Sequence, residues 1–281
     1  MSAEPAGDRR LDTPVLTVDG RQLAPTLYPR IRQVRVEESV QLPDRFTLRF
    51  DDPVFELFDE GTFLPGVRVQ IAFRTEAEPL VVTEGEVTTV CVEPGSAGHH
   101  ELVVTGLDRG HRLARVARTR SFQNMSDAAI AIQLAGEHGL DAAVELEGET
   151  FAYVLQAAQS DWAFLRDRVT RTGHDMWVSG GTLHVAPVPA AGESPTLVWK
   201  ENLLGFSVRF SAVDRCDEVV VTGWDALGKR TVRGSASAGD PGTDAPAVRT
   251  IADAARRTFG RERRETGRRG IGTAAEAQAM A

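Results

Sequence analysis

VVVTGWDALGKR, the run from Val219 to Arg230, admits two readings that lead to different folds. Gly223, Gly228 and Lys229 have the spacing of a phosphate-cradling loop, G-x-x-x-x-G-K-[ST], which would place a strand before it and a helix after it. That loop needs a Ser or Thr hydroxyl after the lysine to hold magnesium, and Arg230 stands there instead. Thr231-Val232-Arg233-Gly234 then reads as another short strand, so the segment joins strand to strand. No helix N-terminus points at a phosphate. The run is a strand, a tight turn over Asp225 to Gly228, and a return strand.

Working outward, the same period of two dominates residues 14–112. Arg45-Phe46-Thr47-Leu48-Arg49-Phe50 and Val67-Arg68-Val69-Gln70-Ile71-Ala72-Phe73-Arg74 alternate polar and apolar side chains, the pattern of antiparallel strands that bury one face. Asp19-Gly20, Leu42-Pro43-Asp44, Leu64-Pro65-Gly66 and Glu93-Pro94-Gly95-Ser96 supply turn chemistry between them. A barrel or sandwich is expected.

The period changes near residue 113. Ser126 is placed to cap a helix with Asp127 in its first turn, Ile130 and Leu134 on one face, and Gly139 at its end. Ser160 and Asp161 repeat the scheme, followed by an apolar stripe of Trp162, Leu165 and Val169 and a stop at Gly173. A hairpin follows, His174 to Val178 and Leu183 to Val188, turning through Ser179-Gly180-Gly181-Thr182. Alternation returns in Gly205 to Phe210 and Glu218 to Thr222. The expected division is a tail over 1–13, a β-barrel domain over 14–112, an α+β domain over 113–190, and a second β-barrel domain over 191–281 with a mobile loop at 234–247. The fold class is mainly β with an α+β insertion.

Composition excludes several functions. A net charge of −8 over 281 residues is the wrong sign for a protein that grips nucleic acid or an anionic membrane. No window nears 18 consecutive apolar residues, and the first residues lack the apolar core of a secretory signal. Assembly in the cytoplasm is expected. The two cysteines, Cys91 and Cys216, are far apart in apparent strands and form neither a metal motif nor a disulfide framework.

Catalytic patterns are equally thin. His99 and His100 are adjacent on a strand and face opposite ways. G-x-S-x-G is absent. The acidic pairs Glu37-Glu38 and Asp51-Asp52 read as solvated strand ends. The arginines at 256–257 and 261–269 are interrupted by Glu262 and Glu265 and lack the aromatic platform of a single-strand binder. Trp162 and Trp177 read as core residues, whereas Trp199 and Trp224 remain open between packing and sugar stacking. No catalytic, cofactor-binding or metal-binding residue is assigned.

Five motifs in register carry a resemblance. Phe122-Gln123-Asn124-Met125-Ser126-Asp127, Gly139-Leu140, Tyr153-Val154-Leu155-Gln156, Ser160-Asp161-Trp162-Ala163-Phe164-Leu165-Arg166 and Gly180-Gly181-Thr182-Leu183-His184-Val185 resemble, in order and spacing, the VgrG and phage late-control protein D family. Val219 to Asp225 with Lys229 is similar to the strand that opens that family's next segment, and the likeness runs through nearly the whole chain. Its members are baseplate hub and spike proteins of contractile tails, type VI secretion and extracellular contractile injection systems. The resemblance implies two tube-type antiparallel β-barrels with an α/β insertion, assembled as a non-enzymatic homotrimer that adapts a threefold spike to a sixfold inner tube. Implied partners are the hexameric ring of the inner tube protein, other baseplate proteins, a PAAR-like spike-tip protein and effector cargo, with no cofactor, nucleic acid or resting membrane contact. Family members usually continue into an oligosaccharide-binding-fold domain and a β-helical spike. Neither follows Ala281, so the expectation is a second barrel that is incomplete within this sequence, the chain being a fragment or the remainder lying in another chain or outside the resolved part. The competing readings are a β-rich ligand- or glycan-binding module and a cell-wall hydrolase or nucleotide enzyme.

Overall fold

The computed structural model describes residues 14–39, 42–74, 79–95, 99–187, 196–200, 203, 205, 207, 216–225, 228–237, 246–260, 263–267, 271, 273–274 and 277–278. These fall into two compact units. The first takes the described residues of Met1–Arg166 together with Met176–Ala186, and the second those of Asp167–Asp175 and Pro187–Ala281.

The first unit opens with β1 (Pro14–Val18), β2 (Arg21–Gln22), a 3-10 turn (Pro25–Arg30), β3 (Ile31–Glu37), β4 (Arg45–Asp51), α1 (Glu56–Glu60), β5 (Arg68–Phe73), β6 (Leu80–Pro94) and β7 (His100–Leu107). Its strands form one seven-stranded sheet in the order β2-β1-β5-β6-β7-β4-β3. Every ladder in it is antiparallel. Alternation decides the inner face: Phe46, Leu48 and Phe50 of β4 are buried and lie opposite Gly106, Val104 and Leu102 of β7. Leu16, Val69, Ile71 and Val87 complete that core, each contributing about 1.5–3 kcal/mol by leaving water. Gly106 is required there, because a Cβ would lie 2.1 Å from Phe46 Cζ.

Next come α2 (His111–Ala114), β8 (Ala117–Met125), α3 (Asp127–Glu137), β9 (Asp141–Val144), β10 (Phe151–Ser160), α4 (Asp161–Thr170), β11 (His174–Ser179) and β12 (Thr182–Pro187). Ser126 caps α3 as expected, its Oγ accepting from Ala129 N at 3.2 Å. Ile130, Ala131, Leu134 and Ala135 form the buried stripe. Gly139 at φ +68° ends the helix, with Leu140 N donating to Ala135 O at 2.9 Å. Ser160 likewise accepts from Ala163 N at 3.2 Å. β8 and β10 make a two-stranded antiparallel ribbon, and β11-β12-β9 a second small sheet.

The second unit contains β13 (Glu218–Asp225), β14 (Arg230–Ser237), α5 (Pro246–Phe259) and β15 (Arg263–Gly267), with the sheet order β14-β13-β15. VVVTGWDALGKR is thus the antiparallel β13–β14 pair, Val219 facing Ala236 and Asp225 facing Arg230. Asp225 Oδ1 accepts from Gly228 N at 2.8 Å, which closes the turn. Gly223 has a use that a phosphate loop does not explain: a Cβ there would meet Ile271 O at 2.4 Å, and one on Gly234 would meet Ala277 C at 2.2 Å. Removing both side chains lets Ile271 and Ala277 lie against the sheet, where they form a core with Val221 and Val232.

The mainly β class with an α+β insertion is observed. Two features add to it. β12–β9 and β13–β15 are parallel, and none of the sheets among the described residues closes into a continuous ring, the seven-stranded sheet ending at β2 and β3. The tail at 1–13, positions 238–245 of the 234–247 loop, and 206 and 208–210 of the Gly205–Phe210 alternation lie outside the described residues.

Candidate interaction surface

Two carboxylate clusters brace the first unit. Glu86, on β6 and 4% exposed, accepts from Arg112 Nε at 2.8 Å and Nη2 at 2.5 Å and from His111 Nε2 at 3.1 Å. Burial alone would raise its pKa; the Arg112 and His111 donors outweigh burial and hold it below the ordinary carboxylate range. Nearby, Asp108 Oδ2 accepts from Asp44 N at 2.5 Å and Oδ1 from Gly110 N at 2.6 Å. Here desolvation wins over the backbone donors and pushes the carboxyl up to about 6. Gly110 has no space for a side chain, since a Cβ would sit 2.7 Å from Asp108 Oδ1 and 2.8 Å from Trp162 Cζ3.

Asp161 anchors the second cluster at the start of α4. It is 1% exposed and accepts from His138 Nε2 at 2.7 Å, Gln156 Nε2 at 2.8 Å and Arg120 Nη2 at 2.8 Å. Desolvation opposes its charge, but His138, Gln156 and Arg120 together lower its pKa. Arg120 also reaches Glu137 at 2.6 Å and lies over the Phe122 ring, 5.2 Å from its centroid. Between the clusters is an open cleft of about 1090 Å³, bordered by Glu86, His111, Arg112, Arg115, Glu137 and His138. Among the described residues neither imidazole reaches a hydroxyl or thiol, and no three His, Cys, Asp or Glu side chains are grouped to hold a metal ion. The donors saturate the carboxylates, an arrangement that fixes helices to strands.

A different surface surrounds α1. Asp52 is fully buried, pairs with Arg30 Nη2 at 2.6 Å, and accepts from Leu57 N and Phe58 N at 3.1 Å each. Solvated strand ends were expected for Asp51-Asp52; the correction applies to Asp52, whose carboxylate is consumed in capping α1. The cap holds Phe55 in left-handed backbone, φ +62°, a conformation that costs a bulky residue about 1–2 kcal/mol. Val54, Phe58 and Leu64 stand in solvent, 72%, 47% and 59% exposed. Beside them is an apolar hollow of about 630 Å³ whose lining includes Leu57, Phe63, Pro65, Val90 and Leu102.

The residues singled out from sequence disperse over both units. Lys229 lies in the β13–β14 turn at φ +50°, without a helix ahead of it. Trp162 is buried as expected, at 6%. Trp177 is not: it is 44% exposed and stacks on His184 at 5.1 Å, because strand parity sends Met176 and Val178 inward. Trp199 and Trp224 are exposed, in different elements. The His100 ring lies tilted against Phe55, centroids 4.7 Å apart, while His99 O accepts from Gly95 N at the hairpin tip. Cys91 and Cys216 are free thiols of intermediate burial. Of the arginine runs, Arg256 pairs with Asp217 at 3.1 Å, and 261 and 268–269 lie outside the described residues. Sequence reasoning missed the Glu86 and Asp161 clusters, since Arg112 and Arg120 are 26 and 41 positions from their carboxylates and no motif links them.

A family model described as the Alg8 N-terminal domain, Alg8_N, matches residues 13–257. No curated protein matches the chain in sequence. In structure it is similar to the 43 kDa tail protein of prophage MuSo2 from Shewanella oneidensis, with a TM-score of 0.65 and 15% identity over 95% of this chain and 76% of that one. It is likewise similar to a tail protein from Neisseria meningitidis MC58, with a TM-score of 0.64 and 15% identity over 96% of this chain and 75% of that one. At such identities the likeness is one of fold. The matched family has a different description from the one that the motifs resemble.

Proposed function

This chain belongs to the Alg8 N-terminal domain family, and we propose that it is a structural hub at the spike base of a contractile injection system. The observation that carries this reading is a tail-protein fold extending over 95% of the chain, rather than over one excised module. The saturated carboxylate clusters agree with it, since their chemistry is that of bracing. In this reading three copies form a ring, and in each copy residues 14–112 and 191–281 present one tube-type unit apiece, with 113–190 between them in sequence. Six similar units per trimer then meet the hexameric ring of the inner tube, with baseplate proteins around them and a PAAR-like tip and effector cargo beyond. No catalysis is required, and the working free energy comes from buried area at symmetric interfaces. Among the described residues no helix is long and apolar enough to cross a membrane.

Native mass spectrometry together with co-purification tests the reading. A trimer that retains a hexameric inner tube protein is the expected result; a chain that stays monomeric and binds no tube ring overturns it.

A further inference from the structure

β6 outruns the strand beside it. It pairs with β5 over Leu80 to Glu86, and Val87 still donates to Val67 O and accepts from Gly66 N. Past Thr88 no strand lies on that side among the described residues, whereas β7 accompanies β6 to Pro94 on the other. Antiparallel strands bond a given neighbour through every second residue. Gly95 N donates to His99 O, and His100 O turns away to accept from Asp52 N, so Glu93, Cys91 and Thr89 are the residues that bond β7. Val90 and Val92 present N–H and C=O to the gap that β5 leaves, and among the described residues nothing bonds them there.

The gap is apolar. Val90 lines the hollow beside α1 with Leu57, Phe58, Phe63, Leu64 and Leu102. A bulge at Thr88 and the missing N–H of Pro94 bound the free stretch, confining it to residues 89–93. Backbone donors and acceptors in a row are met by another extended backbone. Residues of that backbone opposite Val90 and Val92 share their inward face and bring apolar side chains to the hollow. On the outer face Glu93 and Glu101 share Arg49, at 2.9 and 3.3 Å, which leaves the acids in excess. A basic residue between the two apolar ones completes the fit.

We infer that residues 89–93 of β6 receive an extended segment of a partner protein, antiparallel and on the line that β5 leaves, with apolar side chains at alternate positions and a basic one between them. Strand addition of this kind needs neither the trimer nor the tube ring, so its failure leaves the hub reading standing.

The full chain tests it with a capped peptide, Thr-Val-Lys-Val-Thr, as the probe and amide hydrogen exchange as the readout. In the free chain the Val90 and Val92 amides are expected to exchange fast and those of Cys91 and Glu93 slowly; saturating peptide slows Val90 and Val92 about tenfold or more. N-methylation of the peptide's two valines weakens binding about 30-fold, the effect of two lost hydrogen bonds, whereas N-methylation of its lysine, whose amide points away from β6, leaves binding unchanged. Phe58→Asp, on the exposed rim of the hollow, weakens binding about tenfold without lowering the melting temperature. Val90 and Val92 amides that are already slow in the free chain show a covered edge, and amides that slow only as chain concentration rises show a second copy in the gap; either result overturns the inference. So does a peptide that fails to bind, or one that binds equally well with its valines N-methylated.

Discussion

Single atoms decide several features of this molecule. Phe46 occupies the space over Gly106 in the facing strand, with only 2.1 Å between Cζ and a hypothetical Cβ. Gly106→Ala overpacks that contact, and destabilisation by about 1–3 kcal/mol is expected in urea denaturation. Asp108 offers a second residue-scale prediction. Its folded pKa of about 6 lies above the ordinary 3.8, because desolvation outweighs two backbone donors. The folded state therefore holds a proton that the unfolded chain has released, and the associated stability is present below pH 3.8 and lost as pH rises through about 6. Asp108→Asn removes this dependence. The stability difference between parent and variant, followed by denaturation from acid to neutral pH, is expected to drift by roughly 3 kcal/mol in favour of the variant. A constant difference would show that Asp108 is not the titrating group.

Elements are tied together by the clusters, whose pH dependence has the opposite sign. Asp161 is held below 3.8 by His138, Gln156 and Arg120, so its contribution is present above that pH and lost as pH falls through the lower folded value. Asp161→Ala leaves Arg120, His138 and Gln156 facing an emptied buried site at the start of α4, with an expected loss of about 3–5 kcal/mol. Thermal unfolding checks it, and a loss below 1 kcal/mol would reduce the cluster to surface decoration. Ser126→Ala removes only the α3 cap, for which about 1 kcal/mol is expected. Much at this scale is legible from sequence, because caps, stripes and terminating glycines are local: Ser126, Ile130, Leu134 and Gly139 each occupy their anticipated places. Trp177 was misread because its hairpin is apolar on both sides of the residue, and only parity against the sheet assigns the faces. α1 was invisible, since five residues cannot display a helical period and its cap, Asp52, reads as an ordinary strand end.

At the scale of the whole molecule, the trimer proposed above would be stabilised by mass action, so on that reading the melting temperature is expected to rise with chain concentration. Calorimetry over a hundredfold concentration range checks it, and a constant melting temperature counts against the trimer.

Sequence by itself determined the β class, the helical insertion and the hairpin identity of VVVTGWDALGKR, because alternation, caps and the residue following Lys229 are properties of neighbours along the chain. Only the tertiary structure decided why Gly223 and Gly234 are glycines, which carboxylates are buried and saturated, and which aromatic rings face water. Those depend on atoms that lie far apart in sequence, Ile271 on Gly223, Ala277 on Gly234 and Arg120 on Asp161, and meet through packing that no local pattern encodes.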